Sequence, residues 1–431
     1  MKNPFVEELR WRGMLNDIIP ETENHLNKKK TSGYIGFDPT ADSLHIGSLV
    51  QIMILMHFQK AGHRPIALLG GATGMIGDPS GKSAERNLLN EQTLNKNIKG
   101  IKSQLSRFLD FDQNSKNPAL LVNNFDWMKG YSLIDFSREI GKHITVNYMM
   151  SKDSVKKRLG SESQAGMSFT EFTYQLLQGY DFLHLYKNLN CTLQMGGSDQ
   201  WGNITTGTEL VRRKANGKAY AITCPLITKA DGTKFGKTEG GNIWLDIERT
   251  SPYKFYQYWL NASDEDAENY IKIFTFLSRE EIDSLIEEHK QTPHLRVLQN
   301  KIANEVTLLV HSKKDLDKAK KASQILFGKS TSEELKSLDK ANFLDVFEGV
   351  QQAEISMTKL ESGIDIIVVL AGESSFLKSN GEARRALKEN SISVNKIKIN
   401  EEYVLSNKDL INDRYVLLQR GKKTYFILKF V

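Results

Sequence analysis

The sequence predicts an α/β protein: a doubly wound parallel sheet, then a helical stretch, then a small basic α+β unit at the end of the chain. Three observations predict it. Apolar runs at Tyr34–Phe37 and Arg64–Leu69 flank a segment whose apolar residues recur mostly at three and four residues. That strand–helix–strand pattern is a parallel unit, expected to cross over right-handedly. From Ser251 to about Phe327 the spacing stays helical, and from Ile364 a helix, the turn Ser379-Asn380-Gly381 and a helix Glu382–Glu389 precede the short strands Ile392–Val394, Tyr415–Gln419 and Tyr425–Phe430.

Composition bounds the class. The chain has 431 residues, 39% hydrophobic and 26% charged, ordinary for a soluble protein with room for several domains. No apolar run approaches the roughly 20 residues that span a bilayer, and Glu7 and Glu8 stand where a signal peptide would be apolar. Cys191 and Cys224 lack metal-ligand spacing, so no bound metal, no membrane and a reducing cytoplasm are expected. Lys378–Val431 holds twelve Lys or Arg against six Asp or Glu, the whole of the +6 net charge. A basic terminal unit fits a polyanion partner; on charge alone, a solvated face fits equally well.

Taken in order, residues 5–31 read as helical and end in Lys28-Lys29-Lys30. The strand Tyr34–Phe37 is broken by Pro39, and Asp42 or Ser43 is positioned to cap the following helix, which Lys60-Ala61-Gly62 closes. Thr40 and His45 then stand at a helix start, where free N–H groups and the dipole welcome an anion. The strand Arg64–Leu69 leads into the glycine-rich stretch Gly70–Ser83, which presents Asp78 and Lys82, with Arg86 just beyond. Gly81-Lys82-Ser83 ends like a P-loop, but the earlier glycine such a loop needs falls at Ile76, so a P-loop is excluded. Residues 85–165 contain one apolar strand, Ala119–Val122, followed by the aromatic Asn124-Phe125-Asp126-Trp127.

Ser168 and Glu171 form a capping box opening a helix on which Tyr174, Gln178 and Asp181 share one face, either a solvated stripe or a pocket wall. The strand Leu193–Met195 runs into Gly196-Gly197-Ser198-Asp199-Gln200, a glycine-and-acid strand end that suits a ribose or phosphate or simply makes a turn. After the strand Ala219–Thr223, a second lysine loop places Lys234 and Lys237 among glycines. Residues 328–360 read as a linker.

Four blocks, Gly33–Ser48, Gly70–Arg86, Tyr174–Asn203 and Lys234–Thr238, together resemble the bacterial tyrosyl-tRNA synthetase family of class I aminoacyl-tRNA synthetases, in that family's order and approximate spacing. His45-Ile46-Gly47-Ser48 resembles its HIGH motif and Lys234–Thr238 its KMSKS loop. The unit from Ile364 resembles the alpha-L RNA-binding fold through Glu382–Arg385 and Val394-Asn395. The resemblance implies a Rossmann-like catalytic domain over 1–245 with a helical insertion, a helical anticodon-binding domain over 246–327, a linker over 328–360 and an RNA-binding domain over 361–431.

The implied reaction joins L-tyrosine to tRNA(Tyr) with ATP as substrate and Mg²⁺ travelling with it, in a cytoplasmic homodimer. Thr40, His45, Lys82, Arg86, Lys234 and Lys237 are the implied catalytic groups. Tyr34 and Asp181 would hold the substrate phenol, Asp78, Tyr174 and Gln178 its ammonium, and Gln200 its carboxylate. Gly36, Asp38, Gly47, Ser48, Gly197, Asp199 and Lys237 are the implied ATP contacts, and Arg384 and Arg385 the RNA contacts. Ser48 departs from the family, which usually has a second histidine there. A tryptophan–tRNA ligase shares fold and ATP loops but has no use for two partners to a phenol, and a non-catalytic RNA-binding regulator would have no use for Lys234 and Lys237.

Overall fold

A computed structural model of the protein describes residues 2–80, 89–159, 167–238, 241–327, 332–347, 350–421 and 424–431. The chain divides into two compact units, one of residues 1–250 with 259–310, the other of residues 251–258 with 311–431.

The first unit is built on five parallel strands: β1 (Ser32–Phe37), β2 (Arg64–Leu69), β3 (Leu120–Asn123), β4 (Cys191–Gly197) and β5 (Tyr220–Cys224), in the order β3-β2-β1-β4-β5. The order reverses direction between β1 and β4, and a doubly wound sheet opens its ligand crevice at such a point. The helices that position the site are α1 (Ile46–Lys60), joining β1 to β2, α2 (Phe169–Leu189), leading into β4, and α3 (Trp201–Ala215), between β4 and β5. Ser168 and Glu171 make the expected reciprocal cap on α2, and Gly62, at φ +89°, lies just past the end of α1.

Two local expectations change. Residues 5–31 are two helices, Pro4–Trp11 and Thr22–Lys28. Gly13, at φ +73°, ends the first. The residues between run along the edge of the sheet, with Ile18 bridged to Ile222 and the Ile19 N–H donating to Ala221 O over 3.0 Å. Nor do Asp42 and Ser43 cap α1. Asp42 is paired with Lys96 and Arg249, and Ser43 Oγ accepts from Gln104. His45 is the cap instead, its Nδ1 accepting the Gly47 N–H at 3.0 Å.

Within the first unit, α4 (Asp264–Phe274) and the helices Arg279–Gln291 and Val297–Val310 follow the sheet. The buried Arg12 guanidinium donates to the carbonyls of Lys272, Thr275 and Leu277, satisfying groups that the end of α4 leaves open.

The second unit contains a five-stranded sheet in the spatial order Ile397–Lys398, Ile392–Val394, Tyr415–Arg420, Thr424–Phe430, Gln352–Ile355. The last strand lies inside the stretch expected to be a linker. It pairs in parallel with Thr424–Phe430, Ile355 is buried in the core, and the neighbouring Phe343 packs on Tyr415 with centroids 5.4 Å apart. The polar composition of 328–360 masked these few apolar anchors. On α5 (Asn380–Lys388) Ala383, Ala386 and Leu387 face the core while Arg384 and Arg385 are exposed.

Candidate active site

A cavity of about 390 Å³ lies among residues from the carboxyl ends of β1 and β4 and the start of α1. Of the residues singled out in the sequence, it gathers Tyr34, Gly36, Asp38, His45, Gly47 and Ser48 from the first block. From the others come Asp78, Tyr174, Gln178, Asp181, Gly197, Asp199 and Gln200. The polar face of α2 is therefore a pocket wall and not a solvated stripe.

At one wall, Tyr34 is 1% exposed, and its hydroxyl has no hydrogen-bond partner among the described residues. A buried, unpartnered hydroxyl is costly unless something else completes it. Asp181 is also 1% exposed, its oxygens accepting from Trp127 Nε1 at 2.8 Å and Asn124 Nδ2 at 3.0 Å. Burial pushes the Asp181 carboxyl up to about 7 against these two donors. Burial also raises the Tyr34 phenol well above its ordinary range, so it stays protonated.

Around these two residues, the acceptors are held in a network. Tyr174 donates its hydroxyl to Asp38 Oδ2 at 2.8 Å, and Thr73 donates to Asp38 Oδ1 at 2.8 Å. Gln200 Nε2 donates to Asp78 Oδ2 at 2.7 Å, and Asn203 Nδ2 bridges Gln178 Oε1 at 3.0 Å to Gln200 Oε1 at 3.3 Å. Burial raises the Asp199 carboxyl, and the neighbouring Asp78 raises it further. The described lining contains the carboxylates Asp38, Asp78, Asp181 and Asp199 and no Lys or Arg. Such a cavity favours an ammonium group. A polyphosphate needs cations from outside it.

The start of α1 supplies part of the rim. A Cβ on Gly47 would lie 2.7 Å from His45 Cε1 and 2.9 Å from Nδ1, so glycine there makes room for the imidazole that caps the helix. The second lysine loop runs beside it: His45 is bridged to Trp244, and the Ile46 N–H donates to Ile243 O at 3.0 Å. Phe235 lines the cavity, whereas its neighbours Lys234 and Lys237 are exposed and do not. Thr40 is likewise exposed and outside the lining. Lys82 and Arg86 lie outside the described residues. Arg384 and Arg385 belong to the second unit.

Residues 26–328 match the family described as tRNA synthetases class I (W and Y), and residues 342–428 match the tyrosine–tRNA ligase SYY-like C-terminal domain. A tyrosine–tRNA ligase of Flavobacterium psychrophilum is 69% identical over 430 residues, 99% of this chain and 99% of that one. The chain belongs to the tyrosine–tRNA ligase family. One family relative in Porphyromonas gingivalis is 62% identical over 425 residues, 98% of this chain and 99% of its own. Among solved structures, a C-terminally truncated mitochondrial tyrosyl-tRNA synthetase of Aspergillus nidulans superposes with a TM-score of 0.68 at 32% identity, covering 75% of this chain and 94% of that one. A tryptophanyl-tRNA synthetase of Plasmodium falciparum shares the fold, with a TM-score of 0.51 at 14% identity and 79% of this chain and 89% of that one covered.

Several residues of this family member's site carry no motif signal in the sequence. Asn124, fully buried, ties Ala72, Thr73 and Asp181 together, and Trp127 holds the second Asp181 oxygen. Both follow the carboxyl end of β3, the position where the strand-end rule looks for ligands. Gln194 faces Tyr34 across the β1–β4 ladder with its own Oε1 unpartnered among the described residues. Inside an apolar strand it gave no signal.

Proposed function

We propose that the chain joins L-tyrosine to tRNA(Tyr) in two steps. The tyrosine carboxylate attacks the α-phosphorus of ATP, the bond to the β-phosphate breaks, and pyrophosphate leaves. A ribose hydroxyl of the terminal tRNA adenosine then takes the tyrosyl group, releasing AMP. The carboxylate is already an anion, so the first step needs no enzymic base. It needs alignment and positive charge on the departing pyrophosphate.

The observation that carries this reading is the buried Tyr34–Asp181 wall, a hydroxyl without a partner beside a carboxylate with capacity to spare. A phenol bound there donates to Asp181 and accepts from Tyr34. Phenylalanine leaves the Tyr34 hydroxyl without a partner and offers Asp181 no donor, and tryptophan has no oxygen for Tyr34 to bond. Asp78, Tyr174 and Gln178 take the ammonium group and Gln200 the carboxylate, while Asp199 takes the ATP ribose. Gly36, Asp38, Gly47, Ser48 and Gly197 line its path.

Thr40, from the turn after β1, and His45, at the start of α1, donate to the phosphates, and Lys82, Arg86, Lys234 and Lys237 supply positive charge to them, with Mg²⁺ arriving on the ATP. One preorganised donor of this kind contributes about 2.7–4 kcal/mol in the transition state. The helices of 246–327 and the basic unit with Arg384 and Arg385 take the tRNA. Two copies pair through apolar surface of the first unit, where Leu133 is 72%, Ile134 76% and Phe169 73% exposed. Translation is served in the cytoplasm, a compartment suited to the buried free thiols of Cys191 and Cys224.

Pyrophosphate exchange with each amino acid in turn tests the reaction. Exchange with tyrosine alone supports it, exchange with tryptophan instead favours the tryptophan ligase, and exchange with neither removes catalysis from the reading. Sedimentation equilibrium tests the pairing, which Ile134→Glu is expected to abolish.

A further inference from the structure

The segment that carries Lys234 and Lys237 is fastened to the first unit at several points, and the central fastening is a ring. At its entry the Ala230 N–H donates to Asp266 Oδ1 at 2.9 Å. On its far side the Ile243 N–H donates to Gly236 O at 3.1 Å. Gly236 itself, at φ +83°, lies so close to α1 that a Cβ there would stand 3.0 Å from Ile46 Cγ1. Between these points Phe235 turns inward. Its ring stacks on Phe274 with centroids 5.2 Å apart and planes at 13°, and meets Tyr270 edge-on at 5.1 Å and Trp259 at 6.0 Å.

Those three rings also pack on one another, Trp259 and Phe274 at 4.9 Å and Tyr270 and Phe274 at 5.9 Å. They form a socket supported by their own contacts, and none of them lines the cavity. Phe235 thus touches both the socket and the cavity, and it stands in sequence between two exposed lysines.

We infer that Phe235 is a positioning residue for adenylate formation: its ring, seated among Trp259, Tyr270 and Phe274, fixes where Lys234 and Lys237 stand beside the start of α1. The inference rests on the reaction proposed above. A flexible lysine cannot stabilise a transition state from an undefined place; Lys234 is bridged to Thr228 and Lys237 pairs with Asn242, but these pairings lie within the loop, which contains Gly232 and Gly236, and do not seat it on the rest of the unit. The buried ring does.

The test compares single-turnover adenylate formation with tyrosine affinity from equilibrium dialysis, on the full chain. Phe235→Ala is expected to slow adenylate formation by about ten- to a hundredfold, the scale on which an ångström of misplacement costs rate, with the tyrosine Kd unchanged. Phe235→Leu restores most of the rate. Phe274→Leu, which trims the socket outside the cavity, gives the same split, and combining it with Phe235→Ala brings no further slowing. Equal reductions in rate and tyrosine affinity, additive slowing in the double variant, or an intact rate in Phe235→Ala would each overturn the assignment. Failure of the unsubstituted protein to exchange pyrophosphate with tyrosine would instead overturn the reaction itself.

Discussion

The Trp127 indole N–H donates to Asp181 Oδ1 over 2.8 Å, from the short helix Phe125–Met128 that follows β3 to a carboxylate buried on α2. A donor to the charged form lowers a carboxyl pKa, and burial raises it; here burial prevails and the group sits at about 7. Asp181 is therefore a carboxylate that titrates near neutrality in the free protein. As it ionises, it gains the ability to accept the substrate phenol. The expected pH profile of kcat/KM for tyrosine rises through about 7. Trp127→Phe removes one donor and moves the midpoint to higher pH, while Asp181→Asn abolishes this limb. A midpoint unmoved by Trp127→Phe would contradict the account.

The same burial has a sign for stability. A carboxyl raised above its unfolded value binds its proton more tightly in the folded state, so its stabilising contribution is present at low pH and lost as pH rises from about 4 to about 7. Asp181→Asn removes that penalty. It is expected to stabilise the free protein at pH 8 by up to about 4 kcal/mol, from roughly three pKa units at 1.36 kcal/mol each. It should have little effect near pH 4. Urea unfolding at the two pH values checks this, and a gain equal at both would refute it.

For Tyr34 the expectation separates folding from function. Its hydroxyl is buried without a partner among the described residues, so Tyr34→Phe costs the free fold nothing and can raise its melting temperature. The substrate phenol then loses one hydrogen bond, worth about 0.5–1.5 kcal/mol, and kcat/KM for tyrosine falls accordingly while that for ATP does not. Calorimetry with exchange kinetics decides the matter; a clear drop in stability would show that the hydroxyl serves the fold.

Elements with strong local signals are legible in the residues themselves: β2, the capping box on α2, and the spacing that places Tyr174, Gln178 and Asp181 on one wall. Pairings that depend on distant segments are not. Nothing around His45 announces that Asp42 is engaged by Lys96 and Arg249 and leaves the cap to the imidazole. Likewise, Gln352–Ile355 is a strand only because Thr424–Phe430 offers it an edge. In the site, residues of the motif blocks stand out, whereas Asn124 and Trp127 act from a short helix after β3 whose partner lies more than fifty residues away.

Lys237 is exposed and outside the cavity lining, and the proposed reaction has it act on the departing pyrophosphate rather than on the amino acid. Lys237→Ala is expected to slow adenylate formation by about a hundred- to a thousandfold, as removal of one preorganised donor does, with tyrosine affinity unchanged. Measuring both in the same preparation is decisive. Parallel declines would mean that the lysine holds the fold or the amino acid, not the departing pyrophosphate.

Arg384 and Arg385 stand exposed on α5, whose other face packs Ala383, Ala386 and Leu387 into the core of the second unit. Replacing both by alanine therefore leaves the packing of that helix alone. Each cation withdrawn from a phosphate reduces the dependence of log K on log salt by about one. The double variant should bind tRNA more weakly, with a salt slope shallower by about two, and charge it more slowly at low tRNA. Its tyrosine-dependent pyrophosphate exchange should equal that of the unsubstituted protein, because adenylate formation needs no tRNA. A salt slope unchanged in the variant would mean that the RNA lies on another face of this unit.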